Sequence, residues 1–340
     1  MKIKIKEIIS ISLLILGFSC VGNAQKEAQY TQYMFNRISY NPAYAGASGS
    51  ICATLLYRNQ WLGFKLDAPT PNKDAGSTPT DYLFSFDTPV KFLHGGIGLT
   101  AYSDQIGYHN NTGIDFDYAF RIYWGPGNLA AGFEGSFYNS KFMVSELVGS
   151  DNFTGNYVDP IMGNVDPLIQ AGADVTDFLV DFSSGLYYQV PGSYYFGVSL
   201  KNILGAKSDV LNFKNARVLY AMGGLEYVIP ANPSLKLKPS VLIKTADFAT
   251  MQLDASCLME YQNAFWGGVS YRFQDAIAFL AGVNWQKLRV GFSYDLTTSR
   301  IGSWKSGLSD GTIELYLRYC FKVIIPPKPP SISRNTRYLF

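Results

Sequence analysis

The feature that most restricts this chain is a two-residue periodicity that recurs along nearly its whole length. From Ile313 to Val323, the residues Ile313, Leu315, Leu317, Tyr319 and Phe321 fall on one face, while Glu314, Tyr316, Arg318, Cys320 and Lys322 fall on the other. A strand points successive side chains to opposite faces, so this ribbon is apolar on one side and polar on the other. About fourteen such runs, with no long helical pattern between them, predict an all-β chain: a transmembrane antiparallel β-barrel, lipid outside and water inside.

The predicted strands are 51–59, 80–88, 95–104, 112–124, 129–141, 177–190, 193–203, 217–229, 235–245, 250–262, 265–274, 276–286, 288–298 and 312–323. In 112–124, Ile114, Phe116, Tyr118, Phe120 and Ile122 alternate with Asp115, Asp117, Ala119, Arg121 and Tyr123. In 288–298, Leu288, Val290, Phe292, Tyr294 and Leu296 alternate with Arg289, Gly291, Ser293, Asp295 and Thr297. Pro239, inside 235–245, lacks a ladder donor and predicts a bulge.

Connection lengths give a second, independent pattern. Outer-membrane barrels have short periplasmic turns and longer outer loops. If the first strand runs outward, the odd connections are the outer ones, and 60–79, 142–176, 204–216 and 299–311 are all long and all odd. The even connections Gly125 to Asn128, Pro191-Gly192 and Pro230 to Ser234 are short. The odd connections near Ala246 and Asp275 are short as well and run against the trend.

Composition agrees with a barrel. Charged residues make up 16% of the 340, against roughly a quarter in soluble globular proteins. After the N-terminus no stretch approaches the ~20 apolar residues of a membrane helix. The 24 Tyr and 23 Phe suit a lipid–water boundary, where an apolar ring with a polar edge is favoured. A soluble β-sandwich or propeller is the competing class. A net charge of +2 without a basic block gives no sign of a nucleic-acid partner.

The flanks divide the chain further. Residues 1–24 read as a signal peptide: Lys2, Lys4 and Lys6 precede the apolar run Ile8 to Phe18, and Gly22-Asn23-Ala24 offers small residues for cleavage. Cys20 raises lipidation as an alternative, although the preceding Gly17-Phe18-Ser19 lacks a leucine. Residues 25–50, rich in Tyr, Asn and Gln, form a segment that either plugs the lumen or hangs in the periplasm. Residues 51–323 are the barrel, and 324–340, with Pro326-Pro327-Lys328-Pro329-Pro330, a short periplasmic tail. Cys52, Cys257 and Cys320 are odd in number and widely spaced, which suggests neither a disulfide framework nor a zinc site. They read as small hydrophobic residues, Cys257 toward lipid and the other two inward.

The most specific stretch follows the signal peptide. It runs Gln29-Tyr30-Thr31-Gln32-Tyr33-Met34-Phe35-Asn36, then Tyr40-Asn41-Pro42-Ala43-Tyr44-Ala45-Gly46, then Tyr57-Arg58-Asn59-Gln60-Trp61. Gly95-Gly96-Ile97-Gly98-Leu99, Asp104-Gln105-Ile106-Gly107 and Tyr118-Ala119-Phe120-Arg121 follow. This order resembles the PorP/SprF family of Bacteroidota outer-membrane proteins, most densely up to about residue 140. The resemblance implies a place in type IX secretion and gliding, either in the core machine or in the export and surface retention of large adhesins. The partners it implies are type IX components, an adhesin with a type IX C-terminal domain, a peptidoglycan-binding periplasmic lipoprotein and outer-membrane lipid. It implies no cofactor. The motif residues to locate are Gln32, Tyr33, Met34, Asn36, Asn41, Pro42, Ala43, Tyr44, Gly46, Tyr57, Arg58, Gln60 and Trp61.

No catalytic constellation is visible. The two histidines, His94 and His109, are expected at opposite membrane faces, and no serine motif accompanies either. Asp115/Asp117 and Asp174/Asp177/Asp181 match no calcium-loop spacing and read as solvated carboxylates. The inward charges are Arg58, Asp117, Arg121, Glu134, Asp181, Lys201, Lys236, Asp254, Glu260, Arg272, Arg289, Asp295, Glu314 and Arg318. Their mixed signs do not describe a single-sign selectivity ring. They suit a lumen crossed by ion pairs or filled by a plug; charges that merely solvate the interior are the plainer reading. An anchor or adaptor of type IX secretion, a transporter for small hydrophobic molecules and a simple porin are the functions left open.

Overall fold

The computed structural model describes residues 28–63, 78–143, 174–247, 250–299 and 310–322. Among them, fourteen antiparallel strands close into a barrel. They are β1 (Ser50–Asn59), β2 (Thr80–Val90), β3 (Gly95–Ile106), β4 (His109–Trp124), β5 (Gly127–Phe142), β6 (Val175–Val190) and β7 (Tyr194–Lys201). Then come β8 (Val218–Leu225), β9 (Leu235–Ala246), β10 (Thr250–Tyr261), β11 (Phe265–Arg272), β12 (Ala276–Trp285), β13 (Leu288–Thr297) and β14 (Thr312–Lys322). Each strand pairs with its sequence neighbours, and β1 closes on β14 from Ser50↔Lys322 to Asn59↔Ile313. Closure satisfies every edge, which a sheet in hydrocarbon requires.

All fourteen predicted strands are present with ends displaced by a few residues, and the predicted parity holds. Phe116, Phe133, Phe279, Phe292 and Leu315 stand exposed on the outer face. Their neighbours Asp115, Asp117, Glu134, Ser293 and Glu314 are buried inside. A continuous apolar outer belt of this kind has no stable place in water. Tyr194, Tyr261, Phe265, Trp124 and Trp285 are exposed at the short-turn end of their strands, where aromatic rings mark a membrane boundary.

Pro239 corrects one expectation. It sits in unbroken register with β10, opposite Cys257, and no residue is inserted. On its other side the ladder with β8 stops at Gly224↔Ser240 and resumes at Tyr227↔Leu237 in the same register. The missing donor therefore interrupts pairing with the neighbour instead of producing a bulge.

The cysteines correct another. Cys52 of β1 and Cys320 of β14 are directly paired across the barrel seam and form a disulfide, with Cα atoms 4.1 Å apart. Cys257 is free and exposed. The signal peptide, Cys20, the Pro-rich tail and most of the 142–176 and 299–311 loops lie outside the described residues.

Candidate functional site: the lumen and the segment within it

Residues 28–47 lie inside the barrel, and the exposed Ser48 and Gly49 lead from them into β1. Tyr30, Tyr33, Met34, Phe35, Ile38, Tyr40, Ala43 and Tyr44 are buried, and they form one core with inward residues of the wall such as Tyr187, Tyr220, Trp266 and Tyr316. Burying a side chain of this size contributes roughly 1.5–3 kcal/mol relative to leaving it in water. Phe35 is central: its ring lies 4.8 Å from Trp266 and 5.6 Å from Tyr316, with the Arg289 guanidinium 4.6 Å above it. Tyr40 packs edge-on against Tyr220, and Tyr44 against Tyr187. The Tyr40 hydroxyl oxygen accepts the Tyr30 backbone N–H at 3.1 Å.

Polar contacts fix the segment at both of its ends. At the first, the Glu314 carboxylate accepts the backbone N–H of Thr31 at 2.7 Å and of Gln32 at 2.9 Å. Thr31 donates its hydroxyl to Asp295 at 2.5 Å. Behind these acceptors stand two arginines. Arg58 lies 3.9 Å from Glu314 and 3.6 Å from Asp81, and Arg272 lies 3.7 Å from Asp295 and 3.4 Å from Asp254. In the middle, Arg318 and Tyr316 both donate to the Phe35 carbonyl, at 3.1 and 3.2 Å. Ser199 donates to the Tyr40 carbonyl, and Lys201 to that of Ser39 at 3.1 Å. At the far end, Arg121 donates to the carbonyls of Ala45 and Gly46, and Asp87 accepts the Gly46 N–H at 3.2 Å.

The motif residues occupy distinct places in this assembly. Gln32, Tyr33, Met34, Asn36, Asn41, Pro42, Ala43, Tyr44 and Gly46 are all in the inserted segment. Asn41 caps the short turn Pro42–Tyr44 by accepting from the Ala43 N–H at 2.9 Å, and its amide donates to the Leu186 carbonyl of the wall at 2.9 Å. Tyr33 reaches Ser240 at 3.2 Å, and Asn36 bonds Ser39 within the segment. Gly46 adopts φ +69, and a side chain there would meet the backbone of Thr88 and Pro89. On the wall, Gly132 of β5 lies against the backbone of Pro42 and Ala43, where even a methyl group would collide. The chain approaches so closely because this wall position carries no side chain.

The second motif stretch lies at the opposite end of β1 from Ser50. Arg58 points inward to the ion pairs and also donates to the Gln60 side chain at 2.8 Å. Tyr57 faces out beside Tyr82, 5.2 Å between centroids. The Trp61 N–H bonds the Thr312 hydroxyl at 3.1 Å. Arg58 is thus the residue that ties the two motif stretches together, through Glu314.

The inward charges do more than solvate an interior. Arg58, Asp117, Glu134, Asp181, Asp254, Glu260, Arg272, Asp295 and Glu314 are buried. Asp181 holds the 202–206 loop by accepting from the N–H groups of Leu204 and Ala206 at 2.9 and 2.8 Å. Lys201 bridges Glu134 at 3.2 Å and Asp115 at 3.9 Å. Among the described residues no cluster has the makings of a metal site. His94 precedes β3 and His109 pairs with Ile106 at the other end of that strand, so they sit at opposite ends of the barrel.

Residues 22–319 match the model of a family described as the type IX secretion system membrane protein PorP/SprF. The chain belongs to the PorP/SprF family. Membership and the apolar outer belt place it in the outer membrane, as a barrel of the type IX system. No curated protein matches it. Solved structures similar to this PorP/SprF chain include the toluene transporter TodX of Pseudomonas putida, at 10% identity and TM-score 0.49, covering 84% of this chain and 93% of that one. The monoaromatic hydrocarbon channel CymD is 12% identical with TM-score 0.48, covering 90% and 95%. Omp33 of Acinetobacter baumannii is 8% identical with TM-score 0.43, covering 80% and 99%.

Sequence reasoning missed the Cys52–Cys320 pair and the wall position Gly132. For the cysteines a signal existed: closing the first strand on the last, in the register set by their parities, puts them opposite each other. For Gly132 none existed before the segment's path was known.

Proposed function

We propose that this PorP/SprF barrel is a binding protein, an outer-membrane anchor or adaptor that holds an exported surface adhesin, or its C-terminal domain, and links it to the secretion and gliding machinery. The observation that carries this reading is the segment 28–47, which occupies the lumen and is pinned there through Glu314, Asp295, Arg318 and Arg121. A barrel so occupied offers its ends for binding in place of an open channel. By the rule for outer-membrane barrels the short turns face the periplasm. The long connections then meet the exported protein and the short turns meet the periplasmic machinery, including a peptidoglycan-binding lipoprotein. Deletion of the gene should remove one or a few surface proteins from the cell, or release them into the medium, with permeability to small solutes nearly unchanged. An intact surface proteome would defeat the reading.

A second reading has one observation in its favour. A cavity of about 350 Å³ lies above the segment toward the long-loop end, lined by Tyr30, Tyr40, Tyr102, Tyr138 and Tyr220 among others. Such a cavity suits a transporter of small hydrophobic molecules. Loss of uptake of one apolar solute on deletion, with the surface proteome intact, would select it.

A further inference from the structure

The short-turn end of the lumen holds another cavity, of about 200 Å³, between the inserted segment and the wall. Its lining brings together four cations, Arg37, Lys238, Arg289 and Arg318, and a single carboxylate, Glu226. The wall compensates them only in part. Lys238 lies 3.5 Å from Glu226 and 3.1 Å from Glu260, Arg289 lies 3.5 Å from Glu260, and Arg318 lies 3.5 Å from Asp87. Lys236, 3.0 Å from Glu226, competes for the same carboxylate. Four cations thus share three carboxylates, and Arg121 at the same end donates to backbone carbonyls. Arg37 pairs with no carboxylate among the described residues. Its guanidinium lies 3.7 Å from the Tyr195 ring and donates to the Tyr187 hydroxyl at 3.0 Å. A surplus of positive charge walled off from lipid is costly unless an anion or water meets it.

The shape of the surplus selects the anion. Aromatic rings cover the faces of two guanidiniums, Tyr195 for Arg37 and Phe35 for Arg289. Arg37 spends Nε on the Met34 carbonyl and Nη1 on Tyr187, and Arg289 spends Nε on Asn284 and Nη2 on Glu260, so Nη2 of Arg37 and Nη1 of Arg289 remain to meet an acceptor. Met34, Phe35, Leu225 and Leu258 line the same cavity and supply apolar surface beside the charges. The volume takes one or two side chains. A membrane lipid is a poor occupant, because the barrel wall stands between this cavity and the bilayer.

We propose that the cleft is a binding site for an acidic peptide segment, one carboxylate side chain next to an apolar one, presented at the short-turn end. The site stands whether or not the barrel carries an adhesin.

The test uses the purified full chain in detergent micelles, titrated calorimetrically with a hexapeptide of alternating Glu and Leu. The expected result is saturable binding that weakens with added salt, with no binding of the matching Lys-Leu hexapeptide. Arg289→Gln and Lys238→Gln should each weaken binding about tenfold, the loss of one charge-assisted contact. Lys207→Gln, in an exposed pair with Asp209 near the other end, should not weaken it. Heat-modifiable gel migration verifies that each variant is folded, and Lys238→Gln carries the test alone if Arg289→Gln fails to fold. Three outcomes overturn the proposal: no binding of the Glu-Leu peptide, equal affinity in all variants, or displacement by inorganic phosphate as readily as by free peptide. The last would make the cleft a phosphate site.

Discussion

Replacing Glu314 with Ala removes the acceptor for two successive backbone N–H groups, those of Thr31 and Gln32, at a place where both residues are buried. Each buried donor left unpaired costs about 1–3 kcal/mol. The same change leaves Arg58 with Asp81 as its remaining salt-bridge partner, at 3.6 Å. Breaking one side of a buried ionic network costs about 3–5 kcal/mol. The barrel strands keep their ladders, so the loss falls on the seating of the segment. A loss of about 3 kcal/mol is a factor of about a hundred in a local opening equilibrium. Hydrogen exchange of the Thr31 and Gln32 amides, measured on the barrel in micelles, should accelerate by about that factor. Glu314→Gln keeps one carbonyl acceptor and should lie between the two. Unchanged exchange in Glu314→Ala would refute the account of how the segment is held.

Three other perturbations probe the same geometry. Phe292→Arg, on the lipid face near mid-strand, should destabilise the barrel by about 2–4 kcal/mol, whereas Phe292→Leu should be nearly neutral; equal folding yields into lipid vesicles would contradict the parity of β13. Removing the Cys52–Cys320 bridge, which spans 268 residues of sequence, with a double Ser substitution should lower stability by up to about 5 kcal/mol on the chain-entropy account. An unshifted thermal midpoint would show that the seam needs no staple. Gly132→Leu should displace Pro42 and Ala43 and expose Arg37 to trypsin, while Gly135→Ala, which meets only ordinary contacts, should not; equal protection in both would mean that the segment tolerates a side chain beneath it.

The strands were legible because lipid enforces parity. Phe292 and Leu296 must face hydrocarbon, so Ser293 and Asp295 between them must face in, and the same rule located the other thirteen ribbons to within a few residues. Loop lengths were legible only in part: the odd connections 107–108, 247–249 and 273–275 are as short as the even ones. Contacts that depend on closure were less so. Cys52 and Cys320 are far apart in sequence and meet only when β1 pairs with β14 in one register. The interior charges showed their mixed signs but not their partners, because which of Asp295 and Glu314 meets Thr31 depends on the path of a segment without periodicity. Inference from a single residue failed at Pro239, where a lapse in pairing toward β8 took the place of a bulge.

In its proposed function the barrel works by holding other proteins. A pull-down from native membranes in mild detergent, read by mass spectrometry, tests it most directly. Type IX secretion components and at least one exported protein with a type IX C-terminal domain should come down with the barrel at near-stoichiometric levels. Recovery of the barrel with lipid alone, from cells that are secreting normally, would contradict it.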